Sequence, residues 1–300
     1  MLRLLLSVAA GLCAALAPCG FKLDQPVETK VVLLGTGTPR PLPERSGPAT
    51  AIVVGEQAYL VDFGPGVVRR AAAAAAKGIP ALAPTKLNLA FVTHLHSDHT
   101  AGYPDLIFTP WVMGRTELDV FGPEGLEDMT HHVMEAWHRD IEIRTTGLEQ
   151  RKMLAIHAHD VKPGLIFEDE RVKVTAFQVR HGQWPQAFGY RFDTSGRSIV
   201  ISGDTSPSEE LIVHCRPCDV LIHETYSRAT TTVPVMPDWP LYSSKYHTST
   251  TELADLANRA KPGLLILYHL SGRTPDEQLK AEVEKTYHGK FVIGHDLDVY

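Results

Sequence analysis

Short apolar runs alternate with longer amphipathic stretches along this chain. Lys30–Leu34, Ala49–Val54 and Gln57–Asp62 read as strands, and Gly55-Glu56 turns the second into the third. Val67–Lys77 is alanine-rich and reads as a helix that stops at Gly78. The apolar run Leu87–Val92 follows, then a helix beginning within Ala101–Met113, a strand at Leu118–Phe121 and a helix over Leu126–Arg139. The second half repeats the style, with strands at Arg171–Val179, Ala187–Phe192, Ser198–Ser202, Asp219–Ile222, Leu264–Tyr268 and Lys290–Gly294. Thr251–Ala260 is its amphipathic helix. This order predicts an α/β protein: two β-rich halves packed as one domain, with helices over both outer faces.

Composition supports a large core, with 44% hydrophobic residues in 300. The formal charge of −6 gives no basic footprint for non-specific attraction to nucleic acid. The N-terminus stands apart. Met1-Leu-Arg3 precedes the apolar run Leu4–Ala17, the pattern of a secretory signal peptide and too short for a comfortable membrane span. Leu16-Ala-Pro-Cys19 looks like a lipoprotein box, from which Pro18 departs. The expectation is a leader over residues 1–19, an exported (periplasmic or secreted) protein and one domain over 27–300. Cys215-Arg-Pro-Cys218 lacks the second pair of a zinc site; a small disulfide loop and two free buried thiols both fit it.

The chemistry sits at strand ends. Thr93-His-Leu-His-Ser-Asp-His99 places His94, His96, Asp98 and His99 directly after an apolar strand. Val179 leads to His181, Ser202 to Asp204 and Tyr268 to His269. Strands hold pendant ligands more rigidly than free loops do. Imidazole with carboxylate suits zinc, and His94, His96, Asp98, His99, His181, Asp204 and His269 are too many for one tetrahedral ion. They suit two metals, with Asp204 as the bridging carboxylate.

The run H-x-H-x-D-H followed by isolated His, Asp and His resembles the metallo-β-lactamase superfamily of binuclear hydrolases, from about Val31 to the end of the chain. The resemblance implies an αβ/βα four-layer sandwich with the site at one edge of two sheets. It implies that His94, His96 and His181 hold one metal, that Asp98, His99 and His269 hold the other, and that Asp204 bridges. Asp62 is implied to steady the metal loop. Two zinc ions are the implied cofactor, with manganese or iron as substitutes.

Finer motifs are similar to the ribonuclease Z branch: Leu34-Gly-Thr-Gly-Thr-Pro39 with Glu44-Arg45, Ile222-His-Glu-Thr-Tyr226, and Tyr246-His-Thr-Ser-Thr250. There His247 is implied to protonate the leaving group and Glu224 to orient it; Asp98 joins them as a catalytic carboxylate. Enzymes of that branch that process tRNA grip it with a long arm after the residue matching His181. Here little more than twenty residues separate His181 from Asp204, so the expectation is an arm-less enzyme with no tRNA partner.

The expected reaction is cleavage of a small phosphodiester or arylsulfate by a metal-bridging hydroxide. Alternatives are a lactone or β-lactam hydrolase, a ribonuclease Z-type endonuclease, and a non-hydrolytic metal or redox module. His96 stands where the redox relatives commonly carry glutamate. A homodimer is compatible with the sequence, and no membrane span is expected in the mature chain. His131, His132, His157 and His159 read as surface residues, His223 as structural, and Trp184 with the aromatic, proline-rich loop Pro234–Tyr242 as candidate pocket walls.

Overall fold

The computed structural model describes residues 27–230 and 238–300. The leader read at residues 1–19 and the first part of the proline-rich loop lie outside them. The first half contains β1 (Thr29–Gly35), β2 (Ala49–Val54), β3 (Gln57–Val61), α1 (Val67–Ala76), β4 (Leu89–Phe91), α2 (Ser97–Thr100), α3 (Tyr103–Val112), β5 (Glu117–Gly122), α4 (Leu126–Ala136), α5 (His138–Thr146) and β6 (Ala155–Asp160). The second contains β7 (Gly164–Glu168), β8 (Val172–Gln178), β9 (Phe188–Thr194), β10 (Ser198–Ile201), α6 (Glu209–His214), β11 (Val220–Glu224), α7 (Trp239–Tyr246), α8 (Thr250–Ala260), β12 (Leu264–Tyr268), α9 (Asp276–Glu284) and β13 (Phe291–Ile293).

The strands form two mixed sheets, one ordered β1-β2-β3-β4-β5-β6 and the other β13-β12-β11-β10-β9-β8-β7. Period two along the central strands explains how they stack. In β2, Ala51 and Val53 face the helices α1 and α3, while Ile52 and Val54 face the other sheet. In β11, Val220 and Ile222 point between the sheets and Leu221 points toward the helix α8. Both faces of these strands are therefore buried, which is why they read as unbroken apolar runs. The result is the expected helix–sheet–sheet–helix sandwich. Phe91 sits near its centre, with the rings of Phe121, Phe167, Tyr190 and Phe192 within 6 Å of it.

Several local readings change, among them the loop read over Pro234–Tyr242, whose stretch from Trp239 opens the helix α7. The helix read over Leu126–Arg139 breaks at Trp137, whose ring stacks on Phe108 at 5.3 Å and ends α4 there. The helix read from Ala101 starts at Tyr103, because the Gly102 amide donates to Phe63 O instead. The edge strand β7 has no counterpart in the sequence reading. It is half-exposed and pairs only with β8, so its apolar pattern is weak. Cys215 and Cys218 are joined as a disulfide, which selects the first of the two readings left open. Among the described residues no helix is long and apolar enough to cross a membrane.

Candidate metal centre

The parallel strands β4 and β11 and the parallel strand β12 end on the same rim of the sandwich. Their C-terminal loops carry the polar residues of the site, and the β8–β9 and β10–α6 loops complete it. Two of these positions have left-handed backbone at non-glycine residues: Asp62 at φ 63° after β3 and His269 at φ 55° after β12. Such backbone costs of order 1–3 kcal/mol and is held only where its surroundings over-determine it. Gly203, at φ 60°, lets the chain turn before Asp204; a Cβ there would lie 2.7 Å from Phe188 O.

All seven predicted ligands come together. The coordinating atoms of His94, His96 and His181 lie within 4.8 Å of one another, as do those of Asp98, His99 and His269, and those of His94, His99 and Asp204. His96 Nδ1 is 3.0 Å from His94 Nε2 and 3.1 Å from His181 Nε2. Asp204 reaches the other group, with Oδ1 3.5 Å from His99 Nε2 and Oδ2 3.4 Å from His269 Nε2. His269 Nε2 lies 3.2 Å from Asp98 Oδ2.

The outer nitrogens of three rings are committed elsewhere, which aims the inner ones. His94 Nδ1 pairs with Thr93 Oγ1 at 3.0 Å, His99 Nδ1 with Asp62 Oδ2 at 2.9 Å, and His181 Nδ1 with Tyr246 O at 2.8 Å. Asp62 also accepts from the Thr93 amide at 2.8 Å, so one buried carboxylate fixes both ends of the His94–His99 turn.

The donor set fits divalent cations. His99 Nε2 and Asp204 Oδ1 are buried and have no hydrogen-bond partner, and a cation between them would satisfy both. Burial, together with neighbouring imidazoles that include His99, holds His94 well below the usual histidine range; burial likewise brings His181 down to about 3. These rings are neutral near pH 7, the state that binds metal. One contact runs against the fit. Trp184 Nε1 donates to His96 Nε2 at 2.7 Å, so the neutral His96 ring carries its proton on Nδ1, where a cation would sit.

Beside this cluster, His247 Nδ1 lies 3.2 Å from Glu224 Oε1 and 3.9 Å from Asp204 Oδ2. Glu224 Oε1 also accepts from the amides of Thr205 and Thr248. Burial favours a neutral His247, but Glu224 and then Asp204 and Asp98 outweigh it and bring the ring up to about 9. The Ser249–Glu252 capping box starts α8 immediately after His247 and fixes that turn.

These observations meet family resemblance at one point. The model of the β-lactamase superfamily domain matches residues 57–270, the stretch holding Asp62, the His94–His99 turn and His269. The chain belongs to the metallo-β-lactamase superfamily, and within it is a metal-dependent hydrolase. It is 32% identical over 276 residues to a ribonuclease Z of Mycobacterium bovis, covering 89% of this chain and 96% of that protein. A ribonuclease Z of Mycobacterium marinum is 30% identical with the same coverage.

Among solved structures, a metallo-β-lactamase fold protein from Bacillus subtilis superposes with a TM-score of 0.70 at 19% identity, covering 91% of this chain and 99% of that one. The short form of human tRNase Z gives 0.67 at 24% identity, covering 90% and 98%. Curated relatives named for RNA cleavage leave the expected absence of a tRNA partner without support.

Some residues outside the cluster play parts the sequence did not give them, and others the parts it did. Arg45, read as part of the opening loop motif, ties Thr36 Oγ1 and Gly294 O together away from the metal cluster. Thr38 and Arg40 of the same loop line the cavity over the cluster. His131 and His132 are exposed on α4 beside Glu135, and His157 is exposed on β6. His159 stacks on Phe121 at 4.4 Å. His223 is buried, its Nδ1 bonded to Glu224 O.

Proposed function

We propose that this protein is a two-zinc phosphodiesterase of the ribonuclease Z type, cleaving a phosphodiester of RNA. The observation that carries the reading is the convergence of two ligand groups on Asp204, with the His247–Glu224 pair alongside. Similarity to ribonuclease Z along 89% of the chain supports the choice of bond.

His94, His96 and His181 would hold one cation and Asp98, His99 and His269 the other, with Asp204 shared. When bound, zinc supplies positive charge against the phosphate oxygens and makes water more acidic. The chain's own residues do the rest. Asp98, a buried carboxylate beside His269, accepts a hydrogen bond from the attacking water and orients it. Glu224 holds His247 by Nδ1, leaving Nε2 to donate a proton to the departing oxygen. The backbone amides that Glu224 accepts keep it from turning away.

A second reading, a small phosphodiester as substrate, has its own support. Strand β9 passes into β10 through the turn at Ser195-Gly196, so no lobe is inserted between His181 and Asp204. Sulfate esters, lactones and β-lactams share the chemistry without a feature in their favour. The test is zinc-loaded protein assayed against bis(p-nitrophenyl) phosphate, an RNA hairpin with a 3′ extension, an arylsulfate, a lactone and a β-lactam. Cleavage of both phosphodiesters is expected. Cleavage of the small ester alone selects the second reading, and activity confined to the other classes contradicts both.

A further inference from the structure

The cavity above the ligand cluster carries two unlike kinds of side chain. Its volume is about 420 Å³, and its floor includes Asp98, Asp204 and His269. That volume lies in the range of small-molecule sites, about 300–1,000 Å³. One kind is aromatic. Trp239, Tyr242 and Tyr246 recur three and four residues apart along α7 and so share a helix face. Their rings form a ladder: Trp239 to Tyr242 at 5.8 Å and 27°, Tyr242 to Tyr246 at 4.3 Å and 11°. The far end is braced at Gly182, where any Cβ would run into the Tyr246 ring. The near end, Trp239 and Tyr242, lines the cavity.

The rim of the cavity also carries cationic side chains. Arg40 donates from Nη1 to Ser271 O at 3.1 Å, which pins an otherwise exposed guanidinium to the loop after β12. Arg273 stands on the same rim. A pinned guanidinium has its remaining donors free for a phosphate.

We propose that this cavity is a nucleotide subsite, in which the base packs against the Trp239 end of the ladder, which Tyr242 backs, and Arg40 takes a phosphate beyond the scissile one. Aromatic side chains take any base by its π-face, and a cation held by the Asp98, Asp204 and His269 floor would hold the scissile phosphate beside them. The proposal rests on the phosphodiesterase reading above and adds to it the part of the substrate next to the scissile bond.

Three esters with one leaving group test it: methyl p-nitrophenyl phosphate, thymidine 5′-(p-nitrophenyl phosphate), and the latter with an added 3′-phosphate. Wild-type kcat/KM is expected to rise along the series. Trp239→Ala and Tyr242→Leu should each lower the preference for the thymidine ester over the methyl ester about tenfold, through KM. Arg40→Gln should remove the gain from the 3′-phosphate while leaving the base preference in place. Trp239→Phe, which keeps a ring, should restore most of the preference, so loss of fold is separated from loss of stacking.

A wild-type enzyme that cleaves all three esters equally, or variants that leave the preferences intact, overturns the subsite and spares the phosphodiesterase. An enzyme that cleaves none of them overturns both.

Discussion

The two halves of the candidate metal centre are built from different materials. His94, His96 and His181 offer three imidazoles that burial drives toward the neutral form. Asp98, His99 and His269 mix carboxylate with imidazole, and there the balance reverses. Burial alone would make the His99 ring neutral, but Asp62, Asp204 and Asp98 outweigh it and hold the ring well above the usual range. One half is a neutral cage and the other a charged one, with the buried carboxylate of Asp204 between them. The difference teaches that neither half is complete alone: the first lacks charge to offset a dication, and the second carries carboxylate charge that a proton on His99 offsets and a dication would take over.

The largest way to break the comparison is at the junction. Asp204→Ala should reduce bound zinc in both halves and take hydrolysis to background; elemental analysis and bis(p-nitrophenyl) phosphate turnover check it. His181→Ala should be next, emptying the imidazole half first, so that about one zinc ion per chain remains. A variant that instead loses both ions together would show that the halves fill cooperatively.

Asp62→Asn touches no ligand atom but loosens His99 and the Thr93 amide. It should weaken zinc binding by about 10–100-fold, read by competition with a chromophoric chelator. Glu224→Gln leaves the ligands in place and should slow esters with poor leaving groups more than those with p-nitrophenolate. Equal slowing of both would remove His247 as proton donor. The smallest effect is at Trp184. Trp184→Phe removes the N–H that occupies His96 Nε2, and zinc affinity of the imidazole half should rise. Unchanged or lower affinity would mean that the indole turns away without cost.

Legibility cut across that division. The run His94, His96, Asp98 and His99, which serves both halves, was readable because it is crowded into one turn after an apolar strand. His181, Asp204 and His269 were readable only as strand-end residues, since nothing in their neighbours announces a metal. The sandwich was legible from period-two runs buried on both faces. Edge strand β7 was not, because a strand half in solvent has little apolar signal. The break at Trp137 was hidden because the helical pattern runs on either side of it, and only its stacking on Phe108 ends α4. Trp184 on His96 and Arg40 on the rim are contacts between segments far apart in sequence, across 88 and 231 positions. No local pattern carries such pairings.

The most direct test of the central claim joins metal content to turnover in one sample. Apo-protein prepared by chelation is titrated with zinc while bis(p-nitrophenyl) phosphate hydrolysis and bound metal are followed together. Activity should reach its plateau at about two zinc ions per chain and return to background on chelation. A plateau at one ion, or hydrolysis that survives complete removal of metal, would contradict the two-metal phosphodiesterase.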